Sequence, residues 1–318
     1  MADASLVFPI DEFRSRTTRL QAAMAQGSMD ALLLTSAADI FYVTGFLTRF
    51  WESPARPWFL IVPATGTPIA VIPGIGAPLM SRTWIEDIRT WDAPDPRDDG
   101  VTLLADTLGD IVPTSGRVGV PMGIEAHLRM PLKDYTSLVE TLRPRMFMDA
   151  TSVVQRTRET KSEREIAKIK DTCAIAGRAF DTLGKADLEG RSLADLFRTF
   201  QSALLSEGAD WVSYVAGAAG ATGYVDVISP ATKTPLSPGD VVMLDTGAVK
   251  DGYFCDFDRN IAYGVPGKNV QRVNEVLWDV TEEALTELRP GMRACDAHAL
   301  LWNGLTQSPG TGRNASTC

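Results

Sequence analysis

Histidine is scarce in this 318-residue chain, which has only His127 and His298. Neither forms a Cys/His pairing and no Gly-x-Ser-x-Gly occurs, so nucleophilic catalysis of those kinds has no support. The four cysteines, Cys173, Cys255, Cys295 and Cys318, are scattered without a Cys-x-x-Cys. That excludes a zinc ribbon and favours free thiols in a reducing compartment over a disulfide framework. No apolar stretch approaches the roughly 20 residues that span a bilayer. No Lys/Arg run breaks the net charge of −9, which argues against nucleic acid or an anionic membrane as the main partner. The N-terminal residues carry no basic segment followed by an apolar core, so a cytoplasmic protein is expected. The Gly-rich stretch from Gly217 to Gly223 lacks the Lys-Ser/Thr of a phosphate-binding loop, and no nucleotide is expected there.

What is present reads as an ordinary globular chain. The 45% hydrophobic content over this length is enough for two domains with cores of their own. The first half has an α/β pattern. A helix is expected over 13–24, closed by Gly27, and strands over 31–34, 58–62, 69–72 and 117–120. Residues 63–68, Pro-Ala-Thr-Gly-Thr-Pro, join the second and third of these as a hairpin. A further helix is expected over 101–108. Polar residues at 149–160 mark a boundary between domains spanning 10–150 and 158–302. Ser162 and Glu165 then have capping-box spacing and open a helix to about Leu183. Helices follow at 192–205 and 270–288, the latter stopped by Pro290-Gly291. Beyond Trp302 periodicity disappears, so 303–318 is expected to be a disordered tail. Phe50, Trp51 and Trp58 read as core or interface packing, with Arg49 and Arg56 candidates to meet an anionic group.

Three acids dominate the functional reading. The apolar run after Pro238-Gly239 reads as a strand ending at Asp245, and Asp251-Gly252 is a strong turn signal. After the turn, Phe254, Asp256 and Asp258 share one face, and Cys255 and Phe257 the other. A two-residue loop pairs Asp245 with Asp258; a four-residue loop pairs Asp245 with Asp256. Either register gathers Asp245, Asp256 and Asp258 in one patch. Like charges across a sheet cost a few tenths to about 1 kcal/mol per pair. A divalent metal held by oxygen ligands would offset that, and so would a solvated hairpin with Arg259 as counter-charge. Spacing alone does not choose between them.

Several stretches together resemble the M24 metallopeptidase or "pita-bread" family, which includes Xaa-Pro aminopeptidases, prolidases, creatinase and ectoine hydrolase. They are Arg158-Glu-Thr-Lys161, Pro238-Gly239-Asp240, Asp245-Thr-Gly-Ala, and Gly252-Tyr253 with Asp256. Tyr42-Val-Thr-Gly45-Phe46 and Met122-Gly-Ile-Glu125 are similar to the creatinase/prolidase N-terminal domain. The resemblance implies an α/β N-terminal domain followed by an α+β pita-bread catalytic domain, incomplete at its C-terminus. It implies a metal-dependent hydrolase acting on a short peptide or small molecule, and a homodimer. Asp245 and Asp256 would hold two divalent ions (Mn, Co or Zn), with Asp258 as a further ligand or neighbour.

The departures from the family pattern are as specific as the matches. No Gly-His-Gly, Glu-x-Pro or later bridging Glu follows the paired aspartates. His298 fits no such context and reads as a helix-surface or partly buried histidine. Ile228 falls near the place of a catalytic histidine; Tyr224 or Asp226 could substitute, although Asp226 reads more readily as a loop residue bonding its own backbone. These departures lead to the expectation of a truncation or frameshift after Trp302, weak metal binding and poor solubility. They leave open a creatinase- or ectoine-hydrolase-like activity on a non-peptide, and a catalytically dead fragment.

Overall fold

The computed structural model of the protein describes residues 7–52, 56–184 and 188–307. The chain divides into two units, Met1–Ile166 and Ala167–Cys318.

In the first unit, short apolar runs make the middle of a six-stranded sheet. The strands are β1 (Ala31–Leu34), β2 (Phe59–Pro63), β3 (Ile69–Pro73), β4 (Asp87–Trp91), β5 (Arg117–Val120) and β6 (Met146–Asp149), in the order β4-β3-β2-β1-β5-β6. β1 is buried at all four positions, as a strand covered on both faces must be, and this explains its unbroken Ala-Leu-Leu-Leu sequence. The β2–β3 hairpin expected from the Pro-rich connection forms with Leu60 opposite Ala70. The flanking helices are α1 (Ile10–Gln26), α2 (Ala37–Thr44), α3 (Ala77–Met80), α4 (Val101–Ile111), α5 (Leu132–Thr141) and α6 (Thr151–Glu159). Leu104 and Leu108 of α4 and Leu138 of α5 close a core with Leu33, Phe59, Ile61 and Val71. The Tyr42–Phe46 motif has a structural reason: Gly45 takes φ 78° as the left-handed C-cap of α2.

Beside this core lies a buried ionic cluster. Arg16 is 0% exposed and pairs with Glu12 (3.2 Å) and Glu165 (3.4 Å). Its guanidinium lies over the rings of Phe8, Phe13 and Tyr42 and donates to the Tyr42 carbonyl oxygen. The capping box expected at Ser162 forms: Ser162 N–H donates to Glu165 Oε2 (2.9 Å) and Glu165 N–H to Ser162 Oγ (3.2 Å).

The stretch read as a polar boundary at 149–160 is instead largely helix α6. Its buried positions are Thr151, Val154 and Thr157, three residues apart, and two of the three are polar. The helical stripe is therefore real but not apolar enough to show in the sequence.

The second unit is built on an antiparallel sheet of β7 (Trp211–Gly220), β8 (Val241–Lys250), β9 (Tyr253–Phe254) and β10 (Phe257–Ala262), with β8 between β7 and β10. Helices α7 (Glu163–Gly184) and α8 (Leu193–Ser206) supply Phe180, Leu183, Leu196, Phe200 and Leu204 to its core. These meet Val242, Leu244, Ala248 and Cys255 from the sheet, with Phe257 packed against them. Ser192 caps α8 with a second capping box, reciprocated by Asp195.

Two expectations are corrected here, the end of β8 and the start of the tail. β8 does not end at Asp245 but continues to Lys250, because a two-residue turn lets it pair with β9 up to the turn itself. The small-residue stretch near Gly217 is the end of strand β7. A Cβ on Gly217 would lie 2.3 Å from the Met243 carbonyl oxygen, so this close ladder requires glycine. The tail expected over 303–318 is helical over 303–307, where α10 (Ala294–Gln307) continues. Gly304 lets α10 approach α9 (Lys268–Glu287) closely, a Cβ there falling 2.7 Å from Val280 Cγ1. The rest of that expected tail, 308–318, lies outside the described residues. On α9 the apolar stripe is half used: Val280 and Ala284 are buried, Leu277 and Leu288 exposed.

Candidate metal centre

The hairpin takes the two-residue form. Asp251 (φ 52°) and Gly252 (φ 77°) both adopt the positive φ of a type I′ turn, and Lys250 pairs with Tyr253. The same register runs on to Asp258 opposite Asp245. The turn is held from outside: Lys168 Nζ meets Asp251 Oδ2 at 2.6 Å, and Asp210 accepts from Lys250 Nζ (2.8 Å) and Asp251 N–H (2.6 Å). Cys255 and Phe257 face the core, as alternation requires, which leaves Asp256 and Asp258 exposed on the other side.

Asp245 is half-buried, and its carboxyl is held above the ordinary carboxylate range. Burial is the largest cause, and the neighbouring Asp256 and Asp258 charges add to it. A Tyr214 hydrogen bond works in the opposite direction. The Tyr214 hydroxyl lies 3.0 Å from Asp245 Oδ1 and 3.0 Å from Asp256 Oδ1. Desolvation and those two carboxylates push the phenol far above its usual range, so it stays protonated and donating.

Tyr214 was not singled out from the sequence. It is brought to the acids by β7, whose register shifts between Val212 and Val215. No local signal marks it, because its meaning depends on a strand pairing more than thirty residues away.

The structure brings Asp245, Asp256 and Asp258 into one neighbourhood. Arg259 does not neutralise them: its guanidinium stacks on Phe257 (4.2 Å) and donates to the Asp258 backbone carbonyl, and among the described residues it pairs with none of the three carboxylates. Hard oxygen donors crowded without a counter-charge fit a divalent cation. Yet among the described residues no group of three or more His, Cys, Asp or Glu side chains is arranged to hold a metal ion. The carboxylates thus fit one side of a cation's coordination shell.

The other candidates fall into place separately. His298 is exposed on α10 and stacks on Trp302 (6.1 Å, 14°). Tyr224 donates to Asn260 Oδ1 (2.6 Å), and Asp226 accepts from Ile228 and Ser229 N–H within its own loop. Ile228 is 88% exposed. Phe46, Phe50 and Trp51 gather around buried Trp58 in an aromatic cluster of the first unit. There Arg49 pairs with Glu52 and Arg56 lies over the Phe50 ring, so neither stands as an isolated anion receptor. A cavity of about 990 Å³ in that unit has its charges largely engaged: Arg97 with Asp95, Asp98 at the start of α4, and Asp99 with Trp91 Nε1. No helix among the described residues is long and apolar enough to cross a membrane.

Comparison with known proteins follows the same division of the chain. Residues 16–160 match the model of the Creatinase/Prolidase N-terminal domain, and residues 167–315 that of metallopeptidase family M24. An Xaa-Pro dipeptidase from Pyrococcus horikoshii is 21% identical over 92% of this chain and 77% of its own length. The crystal structure of a prolidase from Thermococcus sibiricus superposes with a TM-score of 0.80 at 21% identity, covering 92% of this chain and 77% of that one. A dipeptidase from Mycobacterium ulcerans gives 0.77 at 24% identity, with 94% and 77% coverage. These likenesses establish the pita-bread fold with a creatinase-like N-terminal domain. Residues 167–315 thus form a metallopeptidase family M24 domain, behind a Creatinase/Prolidase N-terminal domain over residues 16–160.

Proposed function

We propose that this protein is a metal-dependent hydrolase of the prolidase or Xaa-Pro dipeptidase type, with Asp245 and Asp256 as its metal-holding carboxylates and Asp258 beside them. The observation that carries this reading is the crowding of three acids on one hairpin, with Asp258 opposite Asp245 and Tyr214 bridging Asp245 and Asp256. Relatives that are Xaa-Pro dipeptidases and prolidases support the substrate class. A divalent ion bound there would polarise an amide carbonyl and lower the pKa of a bound water. Asp245 and Asp256 would hold the ion, and the Tyr214 hydroxyl, 3.0 Å from one oxygen of each, would fix those carboxylates. Because affinity follows ligand number and charge, these carboxylates alone make the site a weak one, with an expected Kd above about 10⁻⁵ M. The homodimer expected from the resemblance belongs to the same proposal.

A second reading, a creatinase- or ectoine-hydrolase-like enzyme acting on a small non-peptide, is favoured by the loop at Ile228. Tyr224 and Asp226 are committed to Asn260 and to the loop backbone, so neither replaces the histidine of peptide-cleaving relatives. Incubation with Xaa-Pro dipeptides and with ureido or acetamido compounds, at millimolar Mn²⁺, separates the two. Slow proline release that is lost in Asp256→Asn is expected. Cleavage of the non-peptides alone would transfer the assignment to the second reading. No metal-dependent turnover of either class would favour a catalytically dead member of the family.

A further inference from the structure

The Tyr214 hydroxyl has one proton and two carboxylate acceptors, each at 3.0 Å. One proton cannot fully serve both, so the bond is shared and the acids remain short of positive charge. The ring that carries this hydroxyl is seated by Gly247, directly across the hairpin from Asp256. A Cβ on Gly247 would lie 2.5 Å from Tyr214 Cε1 and 2.2 Å from Phe254 Cζ. The two rings therefore lie over a position where only glycine leaves room, with centroids 6.2 Å apart and planes inclined by 32°. Gly247 has no positive φ to explain its choice, so the close approach of the rings is the reason for it.

From this we infer that Tyr214 is a positioning residue of the carboxylate site: seated on Gly247 and braced by Phe254, it clamps one oxygen each of Asp245 and Asp256, so that their remaining oxygens are presented together to a divalent cation. The inference rests on the metal reading above. It gives the glycine of Asp245-Thr246-Gly247 and the aromatic at 254 a role in the site, although neither carries a ligand.

The test is Mn²⁺ binding, followed by electron paramagnetic resonance of the free ion, for the full chain and its variants. Tyr214→Phe keeps the ring on Gly247 and removes only the hydroxyl, so its Tm should stay near that of the parent. Its Mn²⁺ affinity should fall about tenfold, as for partners that orient a metal ligand. Phe254→Leu keeps the hydroxyl and loosens the brace, and should weaken binding in the same direction by a smaller factor. This second variant serves if the first does not fold. Parent-like or tighter Mn²⁺ binding by Tyr214→Phe, with the parent binding normally, overturns the inference and leaves the metal reading intact. If parent and Asp245→Asn/Asp256→Asn bind Mn²⁺ equally, the metal reading fails and the inference falls with it.

Discussion

Gly247→Ala tests the seating of Tyr214 without touching any charged group. Alanine in a strand interior is intrinsically favoured over glycine by about 0.5–1 kcal/mol. Here the added methyl meets two aromatic ring atoms at 2.2 and 2.5 Å, closer than carbon atoms can stand. One or both rings must move. Such overpacking costs about 1–3 kcal/mol. At the middle of these ranges the difference leaves a net destabilisation of about 1 kcal/mol. For a unit of this size each kcal/mol moves Tm by about 2–4 °C, so a fall of that size is expected by differential scanning calorimetry. Gly177→Ala, inside α7 with nothing within 4 Å of its new Cβ, is the matched control. It should gain about 0.5–1 kcal/mol from helix propensity. A Gly247→Ala protein as stable as the parent would refute the argument that the rings occupy this space.

Two further outcomes follow from buried and shifted charges. Arg16→Met removes the buried guanidinium between Glu12 and Glu165, which keep Arg164 and Ser162 as partners, and should cost about 3 kcal/mol in urea denaturation; a loss below about 1 kcal/mol would show that the pair is solvated. Asp245 has its folded pKa raised, so its contribution to stability is full below the unfolded pKa and is lost as pH rises through the folded value. Asp245→Asn should therefore raise Tm at pH 7 and give no gain at pH 3; the opposite pH trend would contradict the crowding of the three acids.

Much of the fold was legible where a segment's environment is uniform along its length. β1 declares itself through four apolar residues because both of its faces are covered. The hairpin is legible in Asp251-Gly252, but its register is not: the sequence allows a two- or a four-residue loop, and the structure takes the first, with Asp258 opposite Asp245. The capping box at Ser162 marks a helix start through local hydrogen bonds. Edge strands β4 and β6 escaped notice, being only partly buried and carrying Arg89, Thr90 and Asp149 among their residues. β7 escaped because its small residues answer to the approach of Met243 and have no strand propensity of their own. In the site, the acids were legible as a pattern in consecutive sequence. Tyr214 was not, since a register shift in β7 brings its hydroxyl to Asp245 and Asp256.

Calorimetric titration of the chain with Mn²⁺, beside the Asp245→Asn/Asp256→Asn double variant, tests the central claim most directly. The expected result is saturable binding to the parent with Kd above about 10⁻⁵ M, lost in the double variant. Sub-micromolar binding would contradict the weak, carboxylate-only site argued here. Identical isotherms for the two proteins would contradict the assignment of Asp245 and Asp256 as the metal-holding pair.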